Sequence, residues 1–373
     1  MVMRKPENPF ITFGYAGPDF FCDRTAETKK IVSAIENDRN LTLLAPRRIG
    51  KSGLIKNVFH TLETKGSARC IYLDIYPTHD LVDFISDFAT AVFSTLENGW
   101  EKAAKAATQF IKSCRPNVSL DPYLGVPKFS FDLAPTSAKV TLNEIFTYLG
   151  KQDKRIVIAF DEFQQVARYP FKGMEALLRT YVQFQSGTRF IFAGSKQRMM
   201  DEMFLSRNRP FYHSTQIIKL SEIDPAKYYE FASRFFAAGR MELPEDVFYN
   251  IYRRFAGITW NVQLVLNRLY ERKPKVAAIE DVQEIVEELV EEFSDEYART
   301  LDDCQPNDIA LLRAIAKEGC VKEIHALDFV RKHKLPAPSS IAAAVDRLIE
   351  KQIVYRTEVG YVIYDRLMGL WLS

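Results

Sequence analysis

Short apolar runs alternate with amphipathic helical patterns over the first part of the chain. The runs that predict strands are 40–44, 70–75, 155–160, 189–193 and 216–220. The patterns that predict helices are 25–37, 54–62, 81–93 and 174–184. Strands that alternate with helices are typical of βαβ units, so this part of the chain predicts an α/β domain with a mainly parallel sheet covered on both faces.

The pattern changes twice in the later part of the chain. Residues 223–303 show helical stretches rich in Tyr, Phe, Arg and Glu, with no convincing strand. The remaining residues predict three short helices and then a hairpin, the order of elements in a winged helix. We therefore predict three domains, an α/β domain over 1–222, a helical domain over 223–303 and a winged-helix domain over 304–373.

Composition narrows the class of protein. The 373 residues are 47% hydrophobic and 26% charged, as in a folded globular protein and unlike collagen or a disordered chain. Lys and Arg number 50 against 48 Asp and Glu, so the chain as a whole does not attract nucleic acid or anionic lipid. The start shows no apolar signal region and no uncharged apolar run could span a bilayer, so we expect a cytoplasmic protein without membrane contact.

Two other features have ordinary interpretations. The five cysteines are scattered and form no C-x-x-C pair, which predicts inert thiols rather than a zinc or dithiol site. Residues 280–303 hold eleven Asp or Glu and one Arg, and we expect them to form an acidic helix with a solvated face.

A phosphate-binding motif lies between the first predicted strand and the helix that follows it. Its residues are Ala45, Pro46, Arg47, Arg48, Ile49, Gly50, Lys51 and Ser52, followed by Gly53. The spacing is that of G-x-x-x-x-G-K-[ST] with Ala45 in place of the first glycine. In such a loop, backbone N–H groups bind phosphate oxygens, the lysine reaches the β- and γ-phosphates, and the hydroxyl binds Mg²⁺. The motif therefore gives these last two roles to Lys51 and Ser52. Residues 45–53 are therefore predicted to bind the nucleotide.

Two carboxylates follow directly after the strand predicted at 155–160. A buried strand that ends in Asp161 and Glu162 is costly unless the charges have a function. In phosphate-loop enzymes one carboxylate holds Mg²⁺ and another prepares the attacking water. Asp161 is the predicted metal residue, while Glu162 and Lys51 are predicted catalytic residues.

Three more residues are candidates with open alternatives. Ser195 ends the next predicted strand, where it would sense the γ-phosphate or simply belong to a turn. Arg207 and Arg209 would stabilise charge on the transferred phosphoryl group, or would be solvated loop charges.

Other chemistries are less favoured. The histidines show no zinc-ligand spacing, and no nucleophile elbow is present. The third helix of the predicted winged helix begins with small residues, and its Arg347 and Lys351 are offset by Asp346 and Glu350. Packing or docking of a protein partner is therefore favoured, while direct sequence-specific DNA binding stays open.

The sequence resembles the archaeal-type ATPases, a family of the AAA+/STAND branch of P-loop proteins that also has bacterial members. The likeness covers nearly the whole chain and is carried by Asn8-Pro9-Phe10, Phe21-Cys22-Asp23-Arg24, Pro46 to Ser52, Phe160-Asp161-Glu162-Phe163, Gly194-Ser195 with Met199-Met200, and the tail from Tyr364 to Leu372. The resemblance implies an AAA+-like P-loop ATPase core, a helical lid and a winged helix. It also implies ATP as the nucleotide, with Phe21 and Arg24 close to it.

Two departures from the family pattern limit what the resemblance implies. Residues 210–213 stand where relatives often have Gly-Arg, so the arginine that assists hydrolysis is unassigned. Residues 257–260 lack the Gly-x-Pro of related lids. We expect a Mg²⁺-dependent protein that binds ATP and ADP, hydrolyses ATP slowly and converts the nucleotide state into movement of the lid and winged helix. The alternative is a nucleotide-gated module that docks a protein or nucleic acid with negligible turnover. An unidentified protein partner is expected, and an oligomer is compatible with the sequence.

Overall fold

A sheet of five parallel strands organises the first part of the chain, in the order β2-β5-β6-β1-β7. The computed structural model describes residues 6–114, 117–120, 127–131 and 135–373. The strands described there are β1 Leu41–Leu44, β2 Arg69–Asp74, β3 Asn117–Leu120, β4 Pro127–Ser130, β5 Ile156–Asp161, β6 Thr188–Gly194, β7 Gln216–Lys219, β8 Val354–Arg356 and β9 Tyr361–Ile363.

Helices cover the sheet and form nearly all of the later part of the chain. Those described are α1 Thr25–Glu36, α2 Lys51–Thr64, α3 Leu81–Leu96, α4 Trp100–Phe110, α5 Pro135–Gly150, α6 Met174–Phe184, α7 Gln197–Leu205, α8 Pro225–Ala238, α9 Glu245–Arg254, α10 Thr259–Arg272, α11 Ile279–Glu292, α12 Ser294–Asp302, α13 Pro306–Glu318, α14 Leu327–Lys332, α15 Pro338–Glu350 and α16 Arg366–Leu372. No helix among the described residues has both the length and the apolar character needed to cross a membrane.

The sheet is buried on both faces, which explains its nearly continuous apolar strands. In β5, Ile158 and Phe160 pack into the core on the side of α3, α5 and α6, while Val157 and Ala159 pack into the core on the side of α1 and α2. Successive side chains of a strand point to opposite faces, so both faces need apolar residues. The predicted α/β fold with a parallel sheet is confirmed.

The segment between α4 and α5 differs from its prediction. From the sequence alone we predict a long loop over 117–139, yet β3 and β4 pair antiparallel and α5 begins at Pro135. Phe129 is fully buried, and its N–H donates to Thr90 Oγ1 at 3.0 Å. Strands this short, with polar neighbours, carry too little periodicity to be recognised from sequence. Residues 121–126 and 132–134 of the predicted loop lie outside the described residues.

The chain forms two compact units, Phe13–Ile223 and a second made of Glu7–Thr12 with Asp224–Ser373. In the second unit the ring of Phe10 is fully buried and contacts four aromatic rings at centroid distances of 5.6–6.4 Å. These rings belong to Phe231, Phe235, Phe236 and Tyr270. Asn8 Nδ2 donates to Asn267 O at 2.9 Å, and Asn267 Nδ2 donates to Phe10 O at 2.8 Å. The division into three domains stays a prediction.

The acidic stretch at 280–303 forms two helices rather than the single helix expected. Helix α11 ends before Phe293 and α12 begins after it. The acidic face of α11 is partly neutralised, because Arg272 pairs with Glu284 at 3.0 Å and with Glu288 at 2.7 Å. The expected solvated face therefore carries an ion-pair network with helix α10.

Helices α13, α14 and α15 and the β8–β9 hairpin form the predicted winged helix. Two cations, Arg347 in α15 and Lys351 directly after it, are both hydrogen-bonded. Arg347 Nη2 donates to Asp308 Oδ1 at 2.6 Å, and Lys351 Nζ donates to the carbonyl of Asp303. The C-terminal helix α16, which the pattern did not predict, packs through Trp371 against Tyr297 with a centroid distance of 5.8 Å.

Candidate nucleotide site

The phosphate loop joins β1 to α2 at the carboxyl end of the parallel sheet. Gly50 ends the loop with φ 91°, a left-handed backbone that favours glycine, and α2 begins at Lys51. Ala45 is fully buried and does not have a positive φ, so the backbone there does not require the glycine of the standard motif. The loop is followed directly by the N-terminal turn of a helix, as anion binding requires.

Lys51 contacts both carboxylates that end β5. Its Nζ forms a short ion pair with Asp161 Oδ1 and lies 2.8 Å from Glu162 Oε1. The side chain is only 7% exposed. One buried ammonium therefore neutralises two neighbouring negative charges.

Asp161 accepts hydrogen bonds on both of its oxygens. Ser52 Oγ donates to Oδ2 at 2.7 Å, and the Tyr72 hydroxyl donates to the same oxygen at 2.5 Å. The N–H of Glu162 donates to Oδ1 at 2.9 Å. These donors fix the rotation of the carboxylate, which is otherwise a soft torsion.

Glu162 has a left-handed backbone, with φ 55°, which lies outside the usual range for a non-glycine residue. Its Oε2 accepts from Gln164 Nε2 at 2.5 Å and from Ser195 Oγ at 2.8 Å, while its Oε1 faces Lys51. Backbone strain of this kind is concentrated at functional sites. Glu162 is thus held by three side chains from three parts of the chain.

Gln164 lies against the end of β6. The side chain is 3% exposed, and a Cβ added to Gly194 would collide with Gln164 Oε1 and lie 2.6 Å from Met200 Sδ. Only a glycine at position 194 lets the amide come this close to the strand. The placement of Gln164 beside Glu162 therefore depends on Gly194.

Charge pairing outweighs burial in the protonation of this cluster. Burial alone would raise the pKa of Asp161, but Lys51 and hydrogen bonds from Tyr72 and Ser52 hold that pKa below its usual value. The pKa of Glu162 is likewise lowered, against the effect of burial, by Lys51 and two neighbouring donors. Burial opposes the charge of Lys51, yet the two carboxylates raise its pKa. Burial and Asp161 raise the pKa of the Tyr72 phenol, which therefore remains a donor.

The structure brings five of the predicted residues together, namely Lys51, Ser52, Asp161, Glu162 and Ser195. It does not bring the two candidate arginines to them. Arg209 pairs with Glu175 at 2.6 Å and with Glu202 at 3.5 Å, and Arg207 lies exposed in the loop after α7.

Residues implied by the family resemblance lie on the other side of the loop. The ring of Phe21 packs on α2, 3.3 Å from the point where Gly53 would carry a Cβ. Arg24 is 4% exposed and donates to the carbonyl oxygens of Ile49 at 3.4 Å and Ser221 at 2.5 Å. Arg24 therefore hydrogen-bonds to the backbone of the phosphate loop. Its direct contact with a nucleotide stays a prediction.

Sequence reasoning missed Tyr72 and Gln164. Tyr72 lies 89 positions before Asp161, so its approach depends on β2 and β5 being neighbours, which no local pattern reveals. Gln164 carried a weak signal, since it is a polar residue only two positions after Glu162.

A phosphate-loop motif between a parallel strand and a helix, with two carboxylates at the end of another strand of the same sheet, is the arrangement of a P-loop protein. The sequence matches a family model described as an ATPase domain predominantly from Archaea over residues 21–265, and one described as a probable winged helix domain over 295–373. The chain belongs to this family of nucleotide-binding ATPase domains. The family resemblance and the fold expected from it are thereby confirmed.

Solved structures share the fold at low sequence identity. The Walker-type ATPase Paby2304 of Pyrococcus abyssi matches with a TM-score of 0.65 and 19% identity, over 98% of this chain and 99% of that chain. The Aeropyrum pernix ORC2 protein in ADPNP–ADP complexes has a TM-score of 0.60 and 12% identity, over 98% and 97% of the two chains. The Aeropyrum pernix ORC1 protein in complex with DNA has a TM-score of 0.56 and 12% identity, over 98% and 96%. Among curated proteins, no sequence matches this chain.

Proposed function

We propose that the chain is a Mg²⁺-dependent ATP-binding protein that hydrolyses ATP slowly and couples its nucleotide state to movement of the lid and winged helix. The observation that carries the proposal is the contact of Lys51 with both Asp161 and Glu162, with Ser52 on the same aspartate. An ammonium, a hydroxyl and two carboxylates at the end of a phosphate loop are the groups that phosphoryl transfer from ATP to water requires.

The residues present fit a magnesium ion. Ser52 Oγ and Asp161 Oδ2 are hard oxygen donors 2.7 Å apart, and Mg²⁺ commonly binds through one or two such groups with phosphate oxygens and water. When bound, the ion neutralises negative charge on the phosphates. Ser52 and Asp161 are the residues proposed to hold it.

Lys51 and Glu162 have linked roles in this proposal. Phosphate oxygens compete with the carboxylates for the Lys51 ammonium, so Lys51 turns toward the phosphates and leaves Glu162 Oε1. Gln164 and Ser195 keep hold of Oε2, which leaves Oε1 to accept a proton from the attacking water. Ser195 is the proposed sensor of the γ-phosphate. Arg207 and Arg209 stay candidates for the cation that assists the transfer.

The test is phosphate release from ATP with Mg²⁺ by the wild type and by Glu162→Gln, with ATP binding measured in parallel. We expect turnover to disappear in the variant while binding persists. Glu63→Gln on α2 is the matched control, because the Glu63 carboxylate accepts from the Cys70 N–H at 3.3 Å and bonds to no residue of the site among the described contacts, so the turnover of this variant should equal that of the wild type. Lys51→Ala should bind ATP weakly, and wild-type affinity in that variant would show that the loop is wrongly assigned.

A second candidate function is a nucleotide-gated binding module with negligible turnover. It is favoured by the engagement of both oxygens of Glu162 and by the ion pairs of Arg209 with Glu175 and Glu202. In this case the wild type and Glu162→Gln would both bind ATP tightly, and neither would release phosphate.

A protein is the preferred partner of the winged helix. Arg347 of α15 is engaged by Asp308, and Lys351, which follows the helix, is engaged by the carbonyl of Asp303, so the exposed face of α15 carries small and acidic residues. Binding to DNA phosphates requires available Lys and Arg side chains. A protein that makes few such contacts shows only a weak dependence of DNA binding on salt. DNA binding that falls steeply with salt in a fluorescence anisotropy assay would reverse this preference. The cytoplasmic location and the oligomeric state stay predictions.

A further inference from the structure

Tyr72 connects the sheet to the predicted magnesium residues. It lies on β2, on the same face as Cys70, and this face is the one covered by α2. Its hydroxyl donates to Asp161 Oδ2 at 2.5 Å, and Ser52 Oγ donates to the same oxygen at 2.7 Å. The atom at which the two predicted metal residues meet therefore has a further partner outside the phosphate loop.

The other oxygen of Asp161 is already committed. Oδ1 accepts from Lys51 and from the Glu162 N–H, so the direction of Oδ2 depends on Tyr72 and Ser52. Lys51 and Ser52 both belong to the loop end that would turn toward the nucleotide. Tyr72 is anchored in a strand, and the ammonium of Lys56 lies 5.4 Å from the centroid of its ring. Tyr72 is thus a side-chain donor to Asp161 that belongs to a strand of the sheet and not to the loop.

We propose that Tyr72 is a positioning residue that orients Asp161 toward the magnesium ion of bound Mg²⁺–ATP. The inference rests on the proposed function and adds a residue that the phosphate-loop motif does not contain. Partners that orient metal-ligating carboxylates commonly change metal affinity about 10–100-fold when they are removed.

The test compares Tyr72→Phe with the wild type in binding of a fluorescent ATP analogue. Each protein is titrated in EDTA and then with Mg²⁺ at a fixed analogue concentration. In EDTA we expect affinities within about twofold, because the hydroxyl does not contact the loop backbone, whereas the Mg²⁺ concentration for half-maximal enhancement should rise about tenfold or more.

Tyr148→Phe is the matched control. Its hydroxyl also donates to a carboxylate, Glu97 Oε1 at 2.5 Å, but the pair joins α5 to the end of α3. Removal of this hydroxyl should leave both titrations unchanged. A general effect of losing a tyrosine–carboxylate bond would alter both variants alike and would contradict the proposal.

Other outcomes are equally decisive. A Mg²⁺ titration of Tyr72→Phe that coincides with the wild type overturns the role of Tyr72, as does an equal loss of affinity with and without Mg²⁺. A wild type whose binding ignores Mg²⁺ contradicts the proposed function instead. Thermal unfolding without nucleotide checks the fold of each variant, and Tyr72→Met, which also lacks a donor and is expected to show the same separation of the two titrations, replaces the phenylalanine variant if that one unfolds.

Discussion

Lys51 is the cation that pairs with both Asp161 and Glu162, and it offsets the cost of removing these two charges from water. A buried charge that loses its partner destabilises a protein more strongly than the pair stabilised it. Lys51 lowers the pKa values of Asp161 and Glu162 in the folded protein. The free energy of unfolding therefore includes a contribution that depends on Lys51 and on pH.

We expect Lys51→Met to lower the free energy of unfolding by about 3 kcal/mol near neutral pH, since it leaves the buried Asp161 and the partly buried Glu162 without their cation. Groups whose pKa is lowered by folding stabilise the protein above their unfolded pKa, and this contribution is lost as the pH falls through the folded pKa. The difference between wild type and variant should therefore shrink as the pH falls below about 4.

Thermal unfolding without nucleotide, followed from neutral to acidic pH, measures this effect. Lys56→Met on the same helix is the control, because Lys56 has no ion pair among the described contacts and its variant should follow the wild type at each pH. A difference for Lys51→Met that stays constant with pH would show that the carboxylates do not cause it.

At the scale of elements, the strands of the main sheet could be predicted because burial on both faces makes them continuous apolar runs. The same property explains why Asp161, Glu162 and Ser195 were recognised, since each is a polar residue that directly follows such a run. Tyr72 could not be recognised in the same way, because its contact with Asp161 depends on β2 lying next to β5 in the sheet. The order of parallel strands is determined by the crossover connections and not by the local sequence pattern.

Short elements were harder to predict for a related reason. Strands β3 and β4 have four residues each, and helix α16 has seven. Such lengths contain too few turns or alternations to show a period. The buried ring of Phe129 and the contact of the half-buried Trp371 with Tyr297 stabilise these elements, and such contacts arise only in the folded chain.

The ion pair between α13 and α15 gives a prediction for the winged helix. Asp308 is fully buried, and Arg347 reaches it with two nitrogens, Nε at 3.2 Å and Nη2 at 2.6 Å. Arg347→Leu should lower the thermal unfolding midpoint, because it leaves a buried carboxylate without its cation.

Differential scanning calorimetry compares this variant with Arg313→Leu, which removes an exposed arginine from α13 and should leave the midpoint nearly unchanged. Equal shifts of the unfolding midpoint in the two variants would show that the Arg347–Asp308 ion pair does not stabilise the fold more than an exposed arginine does. A restored midpoint in Arg347→Leu combined with Asp308→Leu would locate the cost in the unpaired carboxylate.

For the molecule as a whole, the second unit is completed by a segment from the other end of the chain. Phe10→Ala removes the ring that contacts Phe231, Phe235, Phe236 and Tyr270. Truncation of a fully buried phenylalanine costs about 3–5 kcal/mol, so we expect a loss of this size in the stability of the second unit.

Urea unfolding followed by tryptophan fluorescence in a Trp100→Phe background, where the remaining Trp260 and Trp371 both lie in the second unit, measures the loss. Phe13→Ala is the control three positions along, because Phe13 is 84% exposed and its truncation should cost less than about 0.5 kcal/mol. A similar cost for both variants would show that the aromatic cluster is not organised around Phe10.

The position of Glu7–Thr12 also constrains how this protein can change over generations. Suppose that recombination replaced residues 224–373 by those of a relative. Phe10 would then pack against the aromatic residues of another sequence, and Asn8 would lose its partner Asn267. Two separate stretches of the coding sequence must therefore be inherited together or altered in step. The second unit is one folded body but two pieces of coding sequence, and recombination at a single point cannot transfer it intact.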